Sequence, residues 1–116
     1  MTDIEFNPIT FAFQVVKKAH PDLKFEFQFG YLDDESIDPK VYTGPWGQAD
    51  FETEVPTVLV DPRLPICAFA EILLHEIAHI VVGFEAEHSD AWEQEFDRLH
   101  SLYHEMFFEL HADPNA

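Results

Sequence analysis

Cysteine is almost missing from this chain: Cys67 is the only one. A lone thiol excludes an intramolecular disulfide and any cysteine-built zinc module. It suits a reducing compartment, so a cytoplasmic location is expected, with the thiol itself a small core residue. Basic residues are scarce too. Six Lys and Arg stand against 23 Asp and Glu, a formal charge of −17 at pH 7. Such a field repels phosphate backbones and anionic bilayer surfaces, so neither direct nucleic-acid binding nor membrane attachment is expected, and a basic partner or substrate is favoured. The opening Met1-Thr2-Asp3-Ile4-Glu5 lacks the basic-then-apolar pattern of a signal peptide. The longest apolar stretch, Pro65 to Phe84, is broken by Glu71, His75, Glu76 and His79, so a membrane span is not expected either. Repeats, low-complexity runs and linkers are also absent. With 47% apolar residues and twelve Phe in 116 positions, one packed domain over residues 1–116 is the expectation.

What is present reads as α+β. Asn7-Pro8 is an N-cap followed by proline at the first helical position, opening a helix over Ile9 to His20 that Pro21 stops. From Leu23 to Leu32 the pattern alternates, with Phe25, Phe27, Phe29 and Tyr31 on one side, as in a half-buried strand. A polar stretch, Asp33 to Lys40, and the Gly44-Pro45-Trp46-Gly47 turn flank a short strand at Val41-Tyr42-Thr43. Gln48 to Glu54 and the β-branched run Thr57 to Val60 read as further strand, which makes a small, mostly antiparallel sheet of about three strands. Pro65 to about Val82 is apolar on nearly every side, so this helix is central and buried, and Gly83 ends it. Ser89 or Asp90 caps a last helix running to about His111, with an apolar stripe at Trp92, Phe96, Leu99, Tyr103, Met106 and Leu110.

The central helix carries His75-Glu76-Ile77-Ala78-His79. Residues four apart lie one turn apart on one helix face, so both imidazoles can reach one Zn²⁺ at about 2.0–2.1 Å. Glu76 is displaced by roughly 100° around the axis. That suits it to act on a water beside the metal, as the general base of a metal-assisted hydrolysis. Burying two imidazoles and a carboxylate among Leu73, Leu74, Ile77 and Ile80 is costly unless they have partners, and a metal ion supplies one. For a third ligand His88 leads, because Gly83 lets the chain turn back toward the pair; Glu85, Glu87, Glu93 and Asp97 are alternatives.

His75-Glu76-Ile77-Ala78-His79, Gly83 and His88-Ser89-Asp90-Ala91-Trp92 together resemble the SprT-like zinc metallopeptidases, with Thr57 to Leu64 similar to small phage-type members. The resemblance spans about Thr57 to Phe96. It implies a minimal zincin-like peptidase in which His75, His79 and His88 bind zinc, Glu76 is the catalytic base, and Trp92 packs to fix the loop of the third ligand. Two features depart from the family. Ser89-Asp90 stands where it has Gly-Pro, and no basic, cysteine-bearing zinc ribbon appears in these residues, so the DNA-linked role of the larger relatives is not expected. The metzincin pattern fits less well, since its third His comes six residues after the second and His88 comes nine after His79.

Other residues carry weaker signals. His100, His104 and His111 share a stripe of the last helix, where His100 and His104 have metal-pair spacing but read first as partly exposed histidines; one of them or Tyr103 could serve as an oxyanion donor. Glu71, one turn before His75, is placed either to accept from an imidazole N–H or to face solvent. Trp46 reads as a turn aromatic folded over the core. The expectation is therefore a cytoplasmic zinc metallopeptidase acting on basic or unfolded protein or peptide. The alternatives are a zinc-containing protein-binding module without turnover and an acidic interaction protein that mimics nucleic acid.

Overall fold

The computed structural model describes residues 7–31, 41–43, 46–52, 54–83 and 89–111. Helix α1 (Pro8–Ala19) starts where Asn7 Oδ1 accepts from the backbone N–H groups of Ile9 and Thr10 at 3.0 and 3.2 Å. Those bonds satisfy two of the donors that a helix start leaves over, and Pro8 has none to satisfy. The helix buries Phe11, Ala12, Val15 and Val16, and Lys17 and Lys18 sit in its last turn, where cations suit the helix dipole.

Among the described residues four strands follow: β1 (Glu26–Phe29), β2 (Val41–Thr43), β3 (Gly47–Asp50) and β4 (Thr57–Val60), in the spatial order β1-β4-β3-β2. The β2–β3 and β3–β4 pairs are antiparallel, while β1 and β4 run parallel with Phe27 opposite Val58. The sheet is thus mostly antiparallel as read from the sequence, with one strand more and a parallel edge. Strand β1 is shorter than its alternating pattern. Phe25 and Phe27 pack on Phe13, and Phe27 and Phe29 both meet the buried Phe69, so Phe29 is half-covered at the rim of the core, whereas Tyr31 runs past it and is exposed. Tyr31 instead lies under the Arg63 guanidinium, 4.9 Å from its ring centre. Strand β3 also ends early, because Asp50 Oδ1 turns back to accept from the Glu52 N–H at 2.8 Å. Trp46 packs against the core as expected. The Asp33–Lys40 stretch and the Gly44-Pro45 turn lie outside the described residues.

Past β4, the buried Asp61 organises the turn into the central helix. Its Oδ1 accepts from the Arg63 backbone N–H and Nε, both at 2.9 Å, and its Oδ2 accepts from Arg63 Nη2. A single 3₁₀ turn (Ile66–Ala68) then leads into α2 (Phe69–Val82). Cys67 lies on this turn and is exposed, so the sequence expectation of a core cysteine is corrected. The turn precedes the fully wrapped part of the helix, and Ile66 beside it is exposed as well. Helix α2 is the hub of the fold. It packs on α1, α3, β3 and β4, and it buries Phe69, Leu73, Leu74, Ile77 and Ala78 completely or nearly so. Gly83 ends it at φ 92°, a left-handed value that glycine adopts without steric cost.

Helix α3 (Asp90–His111) begins with Ser89 as its cap. The Ser89 hydroxyl accepts from Trp92 N–H at 3.4 Å and its carbonyl from Glu93 N–H at 3.0 Å. Leu99 is buried and Tyr103 sits edge-on to Phe11 of α1 at 5.1 Å, whereas Leu110 is exposed beyond the core. A polar clamp joins α3 to the end of α1: Glu95 Oε1 is 2.7 Å from His20 Nε2 and accepts from Arg98 Nη2 at 2.7 Å. Burial pushes the Glu95 carboxyl up, but the hydrogen bonds from Arg98 and His20 outweigh it and hold the group below its ordinary range. Among the described residues no helix is long and apolar enough to cross a membrane. The architecture is α+β: a helix, a small mixed sheet and two helices.

Candidate metal centre

Helix α2 places His75 and His79 one turn apart, with ring centroids 5.0 Å apart and planes at 69°. The ligand atoms of His75, Glu76 and His79 all lie within 4.8 Å of one another. Glu76 is 2% exposed and His79 is fully buried, including its Nδ1. Depth is what separates this trio from surface histidines on an ordinary helix. Ionised groups this far from water need a compensating charge, and burial alone pushes the Glu76 carboxyl up to about 8. A divalent cation between imidazoles and carboxylate supplies that charge. The two imidazoles are donors that zinc accepts, and the carboxylate within 4.8 Å of them can act on a water beside such an ion, so the residues fit it.

Two neighbours shape the centre. The Trp92 ring stacks on His79 at 5.3 Å and meets His75 edge-on at 4.8 Å, while its Nε1–H donates to the His75 carbonyl at 3.3 Å. One indole therefore restrains both imidazoles and ties α3 to α2. Phe96, one turn further along α3, stands 5.9 Å from His75. The resemblance assigned Trp92 to the loop of the third ligand; in the fold it touches the imidazole pair directly.

On the other side, Gly47 at the start of β3 gives α2 room. A Cβ there would sit 2.7 Å from Ile72 Cγ2 and 3.1 Å from Glu76 Oε2. We expect Gly47→Ala to cost about 1–3 kcal/mol through overpacking and to push the Glu76 carboxylate out of place. Urea unfolding of the two proteins checks the first part, and unchanged stability would show that the strand and helix separate freely.

His88, with Glu85 and Glu87, lies outside the described residues. Among the described residues the group of three side chains that could hold a metal is His75, Glu76 and His79; Glu93 and Asp97 are exposed on α3 and do not belong to that group. Glu71 is exposed as well. Tyr103 belongs to the α1–α3 seam. Nothing in the local pattern announces Gly47 or the double contact of Trp92, because both join segments far apart in the chain. No known protein family, curated protein or solved structure matches the chain.

Proposed function

We propose that this chain is a small zinc-dependent metallopeptidase of the SprT-like kind, working in the cytoplasm. The observation that carries the proposal is the His75–Glu76–His79 cluster on the central helix, with Glu76 and His79 buried and His75 half-buried. In this reading His75 and His79 hold the ion, His88 completes the protein ligands, and Trp92 keeps the two imidazoles in register. Zinc held there supplies a Lewis acid that acidifies a coordinated water and polarises the scissile carbonyl. Glu76 accepts the water's proton on its carboxylate and returns it to the departing amine. The acidic surface favours basic or unfolded polypeptide as substrate.

A second reading has its own support. Glu76 is so deeply enclosed that the same cluster could serve a zinc-stabilised binding module without turnover. Metal analysis of protein purified without added zinc tests what both readings share. About one zinc per chain is expected, and His75→Ala and His79→Ala should each lose most of it, since a two-imidazole anchor has no redundancy. Metal content far below that, unaffected by either substitution, would remove the basis of both. Hydrolysis by the zinc-loaded wild type then separates them.

A further inference from the structure

The face of α3 that leads away from the metal centre carries a second histidine pair. We propose that His100 and His104 form an accessory, non-hydrolytic site for an imidazole-preferring divalent cation such as Zn²⁺. Their ring centroids are 4.6 Å apart with planes at 67°, against 5.0 Å and 69° for His75 and His79. The same helical spacing has produced the same mutual arrangement of two imidazoles. That arrangement is supported from both sides. Phe96 stacks on His100 at 5.8 Å and 16°, and Tyr103 and Phe108 flank His104 at 5.9 and 6.5 Å. Packing of this kind reduces the rotamer freedom that a bound ion would otherwise have to remove.

The surroundings favour a cation. Asp97 and Glu105 are exposed on the same helix, and the net charge of −17 raises the local concentration of positive ions. The nearby Arg98 is engaged by Glu95, so its charge is already matched. Imidazole donors select zinc, nickel or copper over magnesium or calcium. The pair differs from His75 and His79 in two respects that set its role. His104 is exposed and His100 only half-buried, so water completes the coordination shell and affinity is lower. Ser101 follows His100 where Glu76 follows His75, so the pair lacks a buried carboxylate in the position that the hydrolytic reading gives to Glu76. The site binds; it does not hydrolyse.

Equilibrium dialysis against rising free Zn²⁺, with bound metal quantified, tests this independently of the peptidase reading. The wild type should fill in two steps, to about two ions per chain, and His100→Ala and His104→Ala should each lose the weaker step and retain the tighter one. His75→Ala should do the reverse. Both α3 substitutions lie on an accessible face, and an unchanged helical circular-dichroism signal shows that they fold. A wild type that takes up only the ion His75→Ala removes, or a weaker step that survives in both α3 variants, overturns the proposal. A wild type showing only the step that His100→Ala removes would uphold the second site and sink the zinc assignment at His75 and His79.

Discussion

Glu76→Gln is expected to keep its zinc and to lower peptide hydrolysis by about 10²–10⁴-fold. The substitution nearly preserves shape, which matters because the side chain is packed against Gly47 at the head of β3. His75 and His79 remain to hold the ion, and Trp92 remains to restrain them. What disappears is the one group in the buried cluster able to accept a proton as a carboxylate. Quenched peptides rich in Lys and Arg suit the measurement, with zinc content determined on the same samples. A variant that cleaves like wild type would show that another base acts. A zinc-loaded wild type that cleaves nothing would favour the binding-module reading.

Much of this arrangement is legible in the sequence, for local reasons. Asn7-Pro8, Gly83 and Ser89 mark helix ends because capping depends on a few neighbouring backbone groups, and all three perform that role. The four-residue spacing of His75 and His79 and the apolar residues around them place a polar trio on a buried helix. What escapes is non-local. The parallel pairing of β1 with β4 joins strands about thirty residues apart, which no pattern within either strand encodes. His20 and Glu95 meet across 75 positions. Gly47 against Glu76 is likewise a contact of the packed state. Tyr31 misled because alternation predicts which side a residue takes but not where the strand ends: β1 stops at Phe29, and Tyr31 lies exposed beyond it. Cys67 misled because a small apolar side chain beside a core helix still turns outward on the 3₁₀ turn that precedes it.

Burial of Glu76 leads to the last prediction, on protein stripped of metal by a chelator. With no cation beside it, the folded chain holds this carboxyl protonated up to about pH 8, whereas an unfolded chain releases the proton near pH 4.5. The folded-state value is the higher one. Its contribution to stability is therefore fully present below the unfolded value and is lost as pH rises through 8, where folding must bury a charge or hold on to a proton. Between about pH 5 and 9 the loss should be on the order of a few kcal/mol. The informative quantity is the stability difference between Glu76→Gln and wild type, which isolates this one carboxyl. The amide cannot ionise, so the variant should gain on wild type steadily as pH rises. Urea unfolding of both chelated proteins at several pH values measures that difference. Zinc should reverse the trend in the wild type, because a cation between the imidazoles and the carboxylate stabilises the ionised form that the apolar helix alone rejects. A difference that stays flat with pH in the chelated proteins would mean that water reaches Glu76. Burial of Glu76 would then no longer call for a cation beside it.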